Sequence, residues 1–251
     1  EMDDDGIIIS ELEKALKENP DAKMIYTIPD FQNPTGKTMP DDRRKRIAEL
    51  AAEYKIVVVE DNPYGELIFE GTVHPAIKSF DKEGWVIFLG TFSKVFAPGM
   101  RLGWICAAPE ILEKYALIKQ GADLQSSSLD QRIAAAFMQK YNLDEHILKI
   151  REVYGKRRTL MLESMDKYFP ADVKHTNPYG GLFAWVELRR DLDAGKLMEE
   201  CLKENVAYVP GEAFFPTSGN KNFFRVNYSC MSEDKIVEGI KRIGKVLNNY
   251  Y

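Results

Sequence analysis

The stretch Ile56-Val57-Val58-Val59-Glu60-Asp61-Asn62-Pro63-Tyr64 decides how this chain folds. Four β-branched apolar residues in a row read as a strand buried on both faces, as in a parallel sheet covered by helices. The run stops at two acids and an Asn-Pro turn, so the carboxyl end of the strand is polar. In an open α/β sheet that end is where ligands sit. Asp61 and Tyr64 are therefore candidate site residues, because a carboxylate emerging from an apolar strand must find a cationic or donor partner. Asp61 also suits the cap of the next turn and Tyr64 a place in the core, and the stretch by itself leaves both readings open.

The same grammar extends outward from it. Upstream, Met24 to Ile28 predicts a strand ending at Pro29, and Pro40-Asp41-Asp42 opens a helix with Ile47, Leu50, Ala51 and Tyr54 at helical spacing. Ser10, followed by Glu11 and Glu13, predicts an N-capped helix to about Lys17. The mixed charges of Asp41-Asp42-Arg43-Arg44-Lys45-Arg46 read as a solvated helix face. Downstream, Trp85 to Leu89 and Leu102 to Ala107 predict two more strands, followed by helices over Ile111 to Lys119 and Leu129 to Lys140. A long amphipathic helix from Asp144 to about Tyr168 suits a bridge between domains. Beyond it come a strand (Leu182 to Leu188), a helix (Leu192 to Glu204), two strands (Ala207 to Val209, Phe223 to Tyr228) and a closing helix (Glu233 to Leu247). The fold class expected is α/β, a mainly parallel sheet with flanking helices over residues 1–143, plus a small C-terminal α+β domain over residues 144–251.

Composition narrows the function classes. With 45% apolar and 29% charged residues the chain is that of an ordinary globular protein. Lys and Arg number 34 against 39 Asp and Glu, a net charge of −5, which gives no electrostatic basis for nucleic-acid or membrane-surface binding. No apolar run is long enough to span a bilayer, and the acidic Glu1-Met2-Asp3-Asp4-Asp5 is no signal peptide. Cys106, Cys201 and Cys230 form neither a disulfide framework nor a metal pair, so the expected compartment is a reducing cytoplasm. His74, His146 and His175 are equally scattered, and no metal site is assigned.

Two further polar clusters follow predicted strands. Asn33-Pro34-Thr35-Gly36 is a turn on its own terms, Asn-Pro initiating and Gly36 permitting a positive φ. Thr91-Phe92-Ser93-Lys94, then Pro98-Gly99-Met100-Arg101-Leu102-Gly103, places a Lys between hydroxyls with an Arg and glycines after it. That set suits a phosphate ester held near an amine: hydroxyls donate, Arg101 offers a planar fork, and glycine lets the backbone approach. Standing alone, the segment reads more readily as a polar surface loop with a solvated Lys.

Taken together and in this order, the motifs resemble those of the class I/II aminotransferases, enzymes of the fold-type-I pyridoxal-phosphate group. The resemblance runs from Gly6–Leu16 through Asn-Pro-Thr-Gly, Asp-x-x-Tyr and Ser-Lys-x-x-x-Pro-Gly-x-Arg-x-Gly. It continues into Tyr179-Gly180-Gly181-Leu182-Phe183 and Phe224-Arg225-Val226-Asn227. It implies a transaminase whose cofactor is pyridoxal 5′-phosphate and whose substrates are an α-amino acid and a 2-oxo acid, with 2-oxoglutarate the expected acceptor. It also implies a homodimer. Lys94 would form the Schiff base and shuttle the proton, its amine pushed towards the neutral form by burial and by Arg101. Asp61 would pair with the ring nitrogen and keep it protonated. Tyr64 and Asn33 would bond the ring's phenolic oxygen, Asn33 also facing substrate. Thr91, Ser93 and Arg101 would hold the phosphate, Thr91 standing where Ser is commoner. Arg225 would clamp the substrate carboxylate.

Family members also carry an N-terminal part, with a Gly/Ser-rich phosphate loop and an aromatic residue stacked on the ring, that has no counterpart here. The expectation is that these 251 residues alone bind the cofactor weakly or not at all and expose apolar surface. Two alternatives keep the same motifs: the aminotransferase-like domain of a GntR-type transcription regulator, and a pyridoxal-phosphate carbon–sulfur β-lyase. The side-chain specificity resembles the branch holding aromatic, branched-chain and 2-aminoadipate aminotransferases.

Overall fold

The computed structural model describes all 251 residues. They divide into two compact units: residues 1–30 with 37–150, and residues 31–36 with 151–251.

The first unit opens on a two-stranded antiparallel ribbon, β1 (Met2–Asp3) and β2 (Gly6–Ile7). Helix α1 (Ile9–Glu18) follows, its N-cap at Ile8, so Ser10 lies inside the first turn and is not the cap expected of it. Next come β3 (Met24–Thr27), α2 (Asp41–Tyr54), β4 (Val57–Asp61), β5 (Val86–Thr91) and β6 (Gly103–Cys106). The strands form one sheet in the order β3-β4-β5-β6, with β3, β4 and β5 parallel and β6 antiparallel. As the continuous valines require, Val58 and Val59 of β4 are buried, and Val58 packs with Ile47, Ala48 and Ala51 of α2. Helices α3 (Pro109–Ala122), α4 (Ser128–Lys140) and the long α5 (Leu143–Tyr168) complete the chain's middle. The two units divide within α5, between Ile150 and Arg151, rather than at its start as expected. Leu117, Ile118 and Leu129 stand more than half exposed on α3 and α4, an apolar surface of the kind expected.

One expectation for α2 is overturned. Its charged opening turns are not uniformly solvated: Arg44 is fully buried, because helical spacing sets it on the face that carries Ile47, Ala48 and Ala51. Its five N–H groups all find acceptors, two on Asp30 and one each on the carbonyls of Pro29, Met39 and Pro75. Glu60, also fully buried, accepts the backbone N–H groups of Ile77 and Lys78 at 2.8 Å. Burial raises its carboxyl above the ordinary range, against the pull of those two bonds.

The second unit is built on an antiparallel sheet in the order β7-β8-β10-β9. Its strands are β7 (Lys174–His175), β8 (Phe183–Glu187), β9 (Val209–Pro210) and β10 (Phe223–Asn227). Helix α6 (Ala194–Lys203) and the closing α7 (Glu233–Leu247) supply apolar stripes, with Leu197, Cys201, Ile236, Ile240 and Ile243 buried. The short β7 carries no apolar run of its own. It forms by pairing with β8, which is why the sequence pattern did not announce it.

Residues 31–36, although flanked in sequence by the first unit, belong to the second. Phe31 is 1% exposed and meets Tyr179 edge-on at 5.3 Å. The Gly180-Gly181 pair makes room for it: a Cβ at Gly181, where φ is +75°, would lie 2.4 Å from Phe31 Cβ. Gly36 at φ +70° is held as closely, since a Cβ there would stand 2.8 Å from the Phe183 carbonyl oxygen. Asn33, expected in the N-terminal domain, is thus a residue of the second unit.

Candidate active site

In the first unit the expected residues gather at the carboxyl ends of two neighbouring parallel strands. Asp61 is the last residue of β4, in register with Leu89 of β5, and Asn62 N–H donates to the Leu89 carbonyl at 2.9 Å. Thr91 ends β5, and the turn after it carries Ser93 and Lys94, both half-buried. Arg101 precedes β6, whose Gly103 pairs with Thr91, so the Ser-Lys turn and the Arg lie over one strand end.

The turn is closed by its own hydroxyl. Thr91 Oγ1 donates to the Leu102 carbonyl at 3.1 Å and accepts from Ser93 N–H at 3.0 Å. A hydroxyl has one proton to give, so Thr91 shapes the loop with the donor expected to face a phosphate. Ser93 and Arg101 are the other two residues expected to face a phosphate. Arg101 is exposed and adopts a left-handed backbone, φ +53°, unusual for a residue with a side chain and concentrated at functional positions. Its Nη1 donates to the Pro98 carbonyl at 3.1 Å.

Asp61 has the partner that its emergence from an apolar strand demanded. Tyr26 of β3 donates its hydroxyl to Asp61 Oδ2 at 2.6 Å. Sequence reasoning missed Tyr26, and the available signal was a polar-tipped aromatic on the strand pairing with the Asp61 strand. Tyr64 is buried, 5% exposed, three residues beyond Asp61. Behind them, Asn62 Nδ2 donates to Asp30 Oδ2 at 3.0 Å, and Asn62 Oδ1 accepts from Gly65 N–H at 2.9 Å. Asp30 is the carboxylate that Arg44 grips, so the strand end carrying Asp61 is tied to a buried ion pair.

In the second unit, Arg225 and Asn33 meet. Arg225 lies on β10, in register with Trp185 of β8 and Val209 of β9. Its guanidinium lies 4.1 Å from the Phe183 ring centre and 5.1 Å from that of Phe214, and Nη1 donates to Asn33 Oδ1 at 2.5 Å. A guanidinium only donates, so the Asn33 atom facing it must be the carbonyl oxygen, and the Asn33 amide nitrogen is thereby a donor. That suits the oxygen-binding role expected of Asn33. The Asn33–Pro34 peptide is cis.

The donor set of the first unit fits pyridoxal 5′-phosphate. It offers a primary amine (Lys94), a carboxylate that accepts only (Asp61), and a hydroxyl with a planar cation (Ser93, Arg101) for a dianionic ester. No group of three or more His, Cys, Asp and Glu is arranged to hold a metal, and no helix is long and apolar enough to cross a membrane.

Comparison with known proteins follows the same line. The family profile described as aminotransferase class I and II matches residues 1–243. The chain is 46% identical over 250 residues to the aromatic-amino-acid aminotransferase 1 of Thermococcus litoralis, covering 98% of this chain and 60% of that protein. It is 39% identical over 248 residues to the 2-aminoadipate transaminase of Thermus thermophilus, covering 97% of this chain and 62% of that protein. A crystal structure of Pyrococcus horikoshii kynurenine aminotransferase in complex with PMP superposes with a TM-score of 0.95 at 45% identity, covering 99% of this chain and 63% of that one. The chain thus spans about 60% of the length of the curated relatives it matches.

Proposed function

The chain belongs to the class I and II aminotransferase family, and from that premise we propose that the protein moves an amino group from an α-amino acid to a 2-oxo acid with pyridoxal 5′-phosphate as cofactor. The observation carrying the proposal is the arrangement at the strand ends of the first unit, with Asp61 closing β4 and the Ser93-Lys94 turn following β5 beside Arg101. Bound there, the cofactor supplies an electron-withdrawing ring that stabilises negative charge at the substrate α-carbon and a carbonyl carbon that carries the amino group between substrates.

The residues do the rest. Lys94 Nζ would anchor the cofactor at rest and, once released, would carry the proton from the substrate α-carbon to the cofactor carbon that holds the amino nitrogen. Asp61 holds a proton on the ring nitrogen by pairing with it as a carboxylate. Tyr64 donates to the ring's phenolic oxygen, and the Asn33 amide nitrogen is the donor that the second unit offers. Ser93 and Arg101 bind the phosphate, with Thr91 bracing the turn that presents them. Arg225, stacked by Phe183 and fixed in rotation by Asn33, binds the substrate α-carboxylate through its fork. The donor amino acids proposed are aromatic ones and 2-aminoadipate, after the named relatives, with 2-oxoglutarate as acceptor. Relatives named as transaminases at 39% and 46% identity favour this reading over the regulator and β-lyase alternatives.

The test is turnover of each donor by the whole protein with and without 2-oxoglutarate. Transamination stops when the acceptor is withheld, whereas a lyase continues and would end the proposal. Arg225→Lys keeps the charge but loses the planar fork, so it should raise KM for the amino acid by about 10- to 100-fold with little loss in kcat. An unchanged KM would remove Arg225 from the carboxylate site.

We also propose a cytoplasmic biosynthetic enzyme acting as a homodimer. The free cysteines fit a reducing compartment, and the homodimer is what the family resemblance implies. Light scattering should give twice the subunit mass at micromolar concentration, and a monomer mass would refute the dimer.

A further inference from the structure

Asp61 reaches the end of β4 with one of its two oxygens already engaged. Strands β3 and β4 are parallel, Tyr26 is in register with Val59, and Asp61 is two residues beyond Val59 on the same face of the sheet. A tyrosine at that position is long enough to reach forward to the carboxylate, and its hydroxyl donates to Oδ2 at 2.6 Å. Partial burial of its tip first, and then the Asp61 carboxylate with Tyr64 nearby, push the Tyr26 hydroxyl above its ordinary range although the residue as a whole is half exposed, so it stays a proton donor to Asp61 throughout the physiological range. An aspartate's terminal torsion is otherwise soft, and a bond between two neighbouring strands of one sheet removes that freedom.

Resting on the reading that Asp61 meets the cofactor's ring nitrogen, we propose that Tyr26 is a positioning residue that fixes Asp61 Oδ2, leaves Oδ1 for the ring nitrogen, and keeps the shared proton on nitrogen. Away from bulk water a carboxylate facing a protonated pyridine has a neutral competitor, the carboxylic acid facing an unprotonated ring. A donor on the second carboxylate oxygen stabilises the ionised form more than the neutral one, because a bond to a charged acceptor is the stronger, so it biases the proton towards the ring. Tyr26 touches neither the substrate nor the reacting carbon, and its effect passes through Asp61.

The experiment compares the whole protein with Tyr26→Phe, each loaded with ring-¹⁵N pyridoxal 5′-phosphate, and reads the ring-nitrogen chemical shift together with kcat and KM. Tyr26 is 53% exposed and the change removes one hydroxyl, so the variant is expected to fold, and its melting temperature is checked alongside. The expected result is a protonated ring nitrogen in the unaltered protein and a signal displaced towards the unprotonated form in Tyr26→Phe. A fall in kcat of about fivefold should accompany it, with KM for the amino acid within about twofold. If the ring-nitrogen signal is the same in both proteins, the role assigned to Tyr26 is wrong while the transaminase reading stands. If the unaltered protein shows an unprotonated ring nitrogen, the pairing assigned to Asp61 falls and the Tyr26 role falls with it. Failure of the unaltered protein to take up the cofactor would overturn both the transaminase reading and this one.

Discussion

Lys94→Ala in the whole protein lowers transamination on the order of 10⁴-fold or more, because the variant loses both the anchoring amine and the base that moves the α-proton. Lys94 is half-buried in a turn whose closure is made by Thr91, Leu102 and Ser93, so the substitution leaves those bonds in place. Folding is therefore preserved, and a melting curve within a few degrees of the unaltered protein shows that the loss is chemical. Borohydride treatment provides the independent readout. The unaltered protein retains pyridoxal 5′-phosphate covalently on the peptide containing Lys94, and the variant retains none. Activity within about tenfold of the unaltered protein would take the central role away from Lys94.

Arg44→Ala produces a large loss of stability. The guanidinium is fully buried, gripping Asp30 with two bonds and the carbonyls of Pro29, Met39 and Pro75 with the other three. Removing it leaves the Asp30 carboxylate, 3% exposed, without its counter-charge, a change that costs about 3–5 kcal/mol. For a protein of this size that lowers the melting temperature by about 10 °C. The double change Arg44→Met with Asp30→Leu should recover most of the loss, since it removes both charges together. A melting temperature within about 2 °C for Arg44→Ala would show that the pair contributes little. The consequence reaches the site, because Asp30 also holds Asn62 beside Asp61 and stands at the head of the loop that carries Asn33.

The order of elements was legible in the sequence, and so were the residues at the ends of β4 and β5. The β-branched run at residues 56–59, the helical spacing through Ile47, Leu50 and Ala51, and the polar breaks after each strand are local patterns. Local pattern follows from the alternation of side chains along a strand and their 3.6-residue repeat along a helix. The family motifs then marked Asp61, Lys94 and Arg225 without any knowledge of what surrounds them. Arg44 escaped because a run of mixed charges opening a helix is the ordinary signature of a solvated face. Only the helix's packing against the sheet shows that one of those charges points inward.

What the sequence determined by itself is therefore the longer strands and helices, though not the short β1, β2 and β7, and which polar residues stand at their ends. What the tertiary structure decided is which of those groups touch. It moved Asn33 out of the unit that flanks it in sequence and set it against Arg225, 192 residues away. It gave Asp61 the hydroxyl of Tyr26 from the neighbouring strand. It turned Thr91 inward, onto the backbone of its own loop. The physical reason is one of range. Periodicity and turn chemistry act over a few residues and can be read along the chain, whereas a hydrogen bond between residues far apart exists only once sheet register and burial have brought their atoms within about 3 Å.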